Sequence, residues 1–204
     1  MLDALRVLKR GIVQFEHYGW LYVMANLAAV ALSIPIVTMP AAYAGLSRLS
    51  HTAQTSPTAS FSDYWEGFHA HFRRGVAVGI ANIFILGILW SNFSSYSARS
   101  DWLFVILRGA WLLILMVWLG VQLYAWPILE EMERPSLSGA FRNGGVMILQ
   151  NPVFTLTLLV ALAAIMILST ALVIPWFLVT GSMIACIANA AVLNRLEIIR
   201  ASRR

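Results

Sequence analysis

The nearest approach to a metal pair is His69-Ala70-His71. Two residues apart on a helix, these side chains point about 200° away from each other, so they cannot share one ion. Glu66 and His69 are three apart and can face each other, but two ligands do not make a site; a solvated helical face is the expectation. Ser182 follows Gly181, yet no Gly-x-Ser-Gly surrounds it and no histidine lies in an apolar stretch to serve as its base. No glycine-rich phosphate loop is present. His17 and His51 sit near the ends of apolar stretches, where an imidazole could sense pH, and nothing in the sequence pairs with them. Cys186 is the only cysteine, so neither an intramolecular disulfide nor a thiolate cluster can form. No enzyme is expected, and no catalytic residue, metal or cofactor is assigned.

Two other sets of residues carry the chemistry that remains. Asn26, Asn82, Gln122 and Asn189 are amides inside long apolar runs. They either knit helices together, at about 0.6 kcal/mol per bond, or line a polar path. Ala28, Ala29, Ala31, and the Gly181 and Ala185 pair four residues apart, favour close helix packing. Asp63, Glu66, Arg73 and Arg142 lie on amphipathic stretches and are the charges a partner could read. Arg108 is the only charge within an apolar run; it lies about 10 Å along the helix from Trp102 and can snorkel to the surface.

The elements that position these residues follow from composition. Of 204 residues, 60% are hydrophobic and 11% charged, and the mean hydropathy is +0.76. A soluble globule has about 25% charged residues. This chain therefore reads as an all-α polytopic membrane bundle whose first partner is the lipid bilayer. The net charge of +5 reflects basic residues collected on the cytoplasmic side rather than nucleic-acid binding.

The long apolar stretches are Tyr18 to Val37, Val76 to Phe93, Trp102 to Leu129 and Val153 to Leu193, the last divided at Ile174-Pro175. Ala42-Tyr43-Ala44 resembles a signal-peptidase site, but the run before it is longer than a secretory h-region, and cleavage is not expected. The segment Pro40 to Ala53 is short. If it returns to the cytoplasm, Arg6, Lys9, Arg10, Arg48, Arg73, Arg74, Arg134, Arg142, Arg195, Arg200, Arg203 and Arg204 share the inner side. Only Arg99 then lies outside. Twelve against one is the stronger asymmetry. The expectation is six membrane helices, the second short, with both termini cytoplasmic.

One membrane domain, residues 1–204, is organised as three units. Interfacial helices at 2–15, 60–73 and 136–150 precede hairpins at 18–53, 76–128 and 153–193. Leu2, Leu5, Leu8, Ile12 and Phe15 form one apolar face; Phe61, Trp65, Phe68 and Phe72 form another at spacings of 4, 3 and 4, which Leu137, Phe141, Gly144 and Ile148 repeat. Ser33-Ile34-Pro35-Ile36 and Val173-Ile174-Pro175-Trp176 place Ile-Pro at both outer turns.

Three stretches carry a family likeness. Asn26 to Ala42, containing IPIVTMPAA at 34–42, resembles the signature of the YesL family of bacterial integral membrane proteins. DYWEGFHAHFRRG at 63–75 and FRNGGVMILQNPVFTLTLL at 141–159 resemble that family's later motifs, in the same order. Met39 and His71 depart from its usual Gly and Asn. The resemblance implies a small multi-pass protein of the bacterial inner membrane whose genes accompany carbohydrate uptake or polysaccharide use. Two functions follow as expectations. One is a non-enzymatic accessory or regulatory protein for carbohydrate uptake, joined to a transporter complex or to itself. The other is a small oligomeric transporter or channel.

Overall fold

A computed structural model describes residues 2–97 and 101–202. Arg99, Arg203 and Arg204, which enter the charge count above, lie outside the described residues. Within them the chain is all-α, with eight helices: α1 (Leu2–His17), α2 (Gly19–Leu32), α3 (Met39–Thr55), α4 (Phe61–Ser97), α5 (Trp102–Glu130), α6 (Leu137–Gln150), α7 (Pro152–Leu172) and α8 (Gly181–Ser202). A 3-10 turn at Ile36–Thr38 joins α2 to α3, and a π turn at Trp176–Thr180 leads into α8. Four helices, α4, α5, α7 and α8 with its π turn, are long and apolar enough to cross a membrane; α2, with 14 residues, is a shorter apolar helix.

Helix starts and stops follow local chemistry. Ser60 and Asp63 bracket the start of α4, the Ser60 N–H donating to the Asp63 carboxylate at 2.7 Å. Ser136 caps α6, its hydroxyl accepting from the Gly139 N–H. Pro152 opens α7 at a position where no N–H is needed. Between Arg74 and Val76 there is neither a proline nor a cap. The pattern that divides an interfacial helix at 60–73 from a hairpin beginning at 76 is therefore one uninterrupted helix of 37 residues.

The centre of the molecule is the short helix that the sequence leaves least certain. Ala41, Ala42, Ala44, Gly45, Ser47 and Ser50 of α3 are all buried, packed between α4 on one side and α8 on the other. Small residues make this possible: a methyl on Gly75 of α4 would sit 2.5 Å from the Ala41 backbone. Ala185 through Val192 of α8 form the second buried row.

The predicted apolar faces turn inward in α6 and only in part in α1 and α4, where Leu8, Phe15, Phe61 and Phe68 pack on the core while other large side chains stay outside. Ala4, Val7 and Gly11 of α1 are buried, while Leu5 and Ile12 are exposed. In α4, Tyr64, Gly67 and His71 are buried, and Trp65 and Phe72 lie outside. In α6 the predicted face is the inner one, with Gly144 buried and Leu137, Phe141 and Ile148 packed against the core beside Ala140 and Met147, while Leu149, off that face, is 81% exposed. Small residues permit close backbone approach at the centre of each contact, with bulky residues such as Tyr64, Phe68, Phe141 and Met147 packed around them and others left for the surroundings.

Candidate functional site

The densest polar chemistry lies where α5 ends, at Glu130-Glu131. The Glu130 side chain is 3% exposed and accepts from Arg48 of α3 at 2.7 Å on one oxygen. Its other oxygen bonds His71 Nε2 of α4 at 2.9 Å. Arg74 Nη1 stands 3.1 Å from His71 Nδ1. Arginine can only donate, so Nδ1 accepts and the Nε2–H donates to Glu130. Arg74 also donates to the Pro135 carbonyl, fixing the connection from α5 to α6.

Glu131 makes a parallel set. It bonds His51 Nε2 of α3 at 2.8 Å and accepts from Arg200 of α8 at 2.8 Å. Partial burial pushes the Glu131 carboxyl up, but the bonds from His51 and Arg200 outweigh it and hold the group below the usual carboxylate range. Two adjacent carboxylates thus fasten α3, α4 and α8 to the end of α5. Nearby, Arg195 reaches Asp3 of α1 and Asn151 before α7, and its guanidinium lies 3.8 Å over the Phe154 ring.

Beside Glu131 opens a cavity of about 470 Å³ between α5, α6 and α8. Ile128, Met132, Met147 and Leu196 give it an apolar floor, and Asn143 and Arg200 a polar rim. This volume falls in the range of small-ligand and side-chain pockets.

Each of the four amides makes a hydrogen bond, although the buried Asn189 Oδ1 has no partner. Asn26 is buried in α2; its Nδ2 donates to the Trp176 and Phe177 carbonyls at 2.9 and 2.7 Å, and its Oδ1 accepts from the Ser182 N–H at 3.0 Å. It thereby ties the π turn and the first residues of α8 to α2. Asn82 and Gln122 bond each other at 2.9 Å across α4 and α5, and Trp118 donates to Asn82. Asn189 donates to Ser47 and to the Ala185 carbonyl. The structure brings Asn82 and Gln122 together and places Asn26 and Asn189 in separate contacts along α8.

Of the charged candidates, Asp63 serves the α4 cap, while Glu66, Arg73 and Arg142 are exposed. His69 is exposed and bonds the Trp65 carbonyl. His71 departs from the solvated face expected for it: it is buried against Glu130. The Arg108 Nε lies 3.4 Å from the Phe104 carbonyl. Among the described residues no group of three metal-ligating side chains stands together.

Sequence reasoning missed Glu130, Glu131 and their partners. A signal was present. Arg48 and His51 are three apart, as are His71 and Arg74, which places each pair on one helical face. Glu130-Glu131 is an acidic pair directly after a long apolar run. Set against known protein families, characterised proteins and solved structures, the chain matches none.

Proposed function

We propose that the chain is a non-enzymatic accessory or regulatory protein of the bacterial inner membrane, with both termini cytoplasmic, serving carbohydrate uptake or use. The six-helix arrangement read from the charges keeps both termini inside, with α2 and α3 as its first pair. Membership of the YesL family, and with it the link to carbohydrate uptake, rests on the three ordered sequence stretches.

The observation that carries the accessory reading is the engagement of the four amides. Each bonds a backbone group or another side chain between helices, which supports packing over a polar path. The exposed charges Glu66, Arg73 and Arg142, and the cavity beside Glu131, are the surface that a soluble partner would read in this arrangement. Charge complementarity at such a face supplies specificity.

The test compares two sets of variants. Reversing Arg73 and Arg142 to Glu should abolish the carbohydrate-growth phenotype and co-purification with the uptake complex, in a protein that still folds. Purified protein in liposomes should carry no sugar above background. Saturable sugar flux, lost in Asn82→Leu while the protein remains folded, would replace the accessory reading with the transporter.

A further inference from the structure

We propose that His71 is a proton switch for the connection between α5 and α6. Neutral, it holds Arg74 on that connection; protonated, it expels Arg74 and frees residues 132–136. This goes beyond the proposed function and requires no partner at that face.

The bonds to the ring define the two states. His71 Nδ1 accepts from Arg74 at 3.1 Å, and Nε2 lies 2.9 Å from Glu130. A neutral imidazole has one donor and one acceptor, and both are used here. The cationic form has two donors and no acceptor. A proton on Nδ1 would point at a guanidinium that can only donate, and would set one positive charge directly against another.

The charges around the ring decide which bond gives way. From α5 come Glu130, whose side chain is 3% exposed, and the Trp126 ring at 6.2 Å. From α3 comes Arg48, which holds the other Glu130 oxygen at 2.7 Å and is itself attracted by Asp63 and Glu66 of α4. His51 of α3 and Arg200 of α8 turn to Glu131 instead. Protonation makes the bond from His71 to Glu130 an ion pair, which is stronger than its neutral form. Breaking it would strand a buried charge. Arg74 has weaker claims: its partners are the ring nitrogen and the carbonyl of the exposed Pro135. Water can replace both, so Arg74 is the group that leaves.

What Arg74 releases has little else to hold it. Residues 132–136 form no helix. Among the described residues, the bond from Arg74 is the one that ties this stretch to another helix. Met132 lies against Gly139 at the start of α6 and also walls the cavity between α5, α6 and α8. Release of the connection therefore alters the cavity wall while Arg48 and His71 keep α3 and α4 fastened to Glu130. An imidazole ordinarily titrates between about pH 5 and 8, above the range in which carboxylates do.

The experiment uses the full chain in detergent with Cys186→Ser and spin labels at Glu133→Cys and Ile198→Cys, both exposed positions. Between about pH 8 and about pH 5.5, the distribution of distances between the labels should widen and the mobile fraction at Glu133→Cys should rise several-fold. His71→Gln keeps one donor and one acceptor at both pH values and should stay narrow at both. Arg74→Ala should be broad at both. His51→Gln should respond as the parent does, which separates His71 from the other imidazole at the end of α5. A parent that does not change with pH, a response that survives in Arg74→Ala, or a response lost in His51→Gln overturns the switch. Should His71→Gln fail to fold, the flat profile of Arg74→Ala and the retained response of His51→Gln still decide it.

Discussion

Glu130 and Glu131 bind different helices because successive helical residues point in different directions. Glu130 turns inward to Arg48 and His71, and Glu131 toward His51 and Arg200. For Glu131 the consequence is a pH dependence with a definite sign. Its folded-state pKa is depressed below an unfolded value near 4.3. Its contribution to stability is thus complete above about pH 4.3 and is lost as pH falls through the depressed value. Thermal unfolding in detergent should show the native protein more stable than Glu131→Gln at neutral pH, with the gap closing on acidification below about pH 4. A gap that stays constant across that range would remove Glu131 from the fastening. The amides were legible as isolated polar groups in apolar runs. The carboxylates were not, because their partners lie 59 to 82 residues away in sequence and no local pattern records such pairing.

At the scale of elements, hydrophobic periodicity located the helices and left open which side faces the protein. In a soluble protein the bulky apolar stripe faces the core. Here a second apolar medium competes for that stripe, and the bundle takes the small residues together with part of it: Phe68 of α4 and Leu137, Phe141 and Ile148 of α6 pack inward, while Leu5, Ile12, Trp65 and Phe72 stay outside. Gly11 faces Ile187 of α8, Gly67 faces Arg48 and Gly45 of α3, and Gly144 faces Val121 and Tyr124 of α5. Each amphipathic helix leans on the second helix of a hairpin from another unit, and a close-approach glycine marks the contact. This predicts an asymmetry between two substitutions in α6. Gly144→Leu should lift the helix from α5, because even a methyl there would lie 3.1 Å from the Val121 carbonyl; the loss should be about 1–3 kcal/mol. Leu149→Ala, on the exposed side, should change unfolding by less than about 0.5 kcal/mol. Limited proteolysis of detergent-solubilised protein should show faster cleavage around residues 131–136 in Gly144→Leu alone. Faster cleavage in Leu149→Ala as well would mean that α6 is also held through its outer side.

For the whole molecule, the all-α class and the apolar character follow from composition and periodicity, whereas the helix count does not, and the way the hairpins join depends on single polar side chains. Asn26 joins the first hairpin to the third through three backbone groups of the segment 176–182. That segment follows the break at Val173, whose φ of 61° lies in the region that side chains with a Cβ avoid. In that segment the buried Ser182 N–H donates to Asn26 instead of to its own helix, and in an apolar setting water cannot replace that acceptor. Removing the amide should therefore leave the buried Ser182 N–H without its acceptor, at about 1–3 kcal/mol. Asn82 differs: it is half-buried and bonds side chains that can turn elsewhere, so its loss should approach the roughly 0.6 kcal/mol average for bonds between membrane helices. Asn26→Leu should thus lower the thermal midpoint in detergent several-fold more than Asn82→Leu. It should also raise the reactivity of a cysteine placed at Trp176 as the turn opens, with Cys186 replaced. Equal losses in the two variants would show that the third hairpin is held by apolar packing alone, and that the break at Val173 to Pro175 stands without the asparagine.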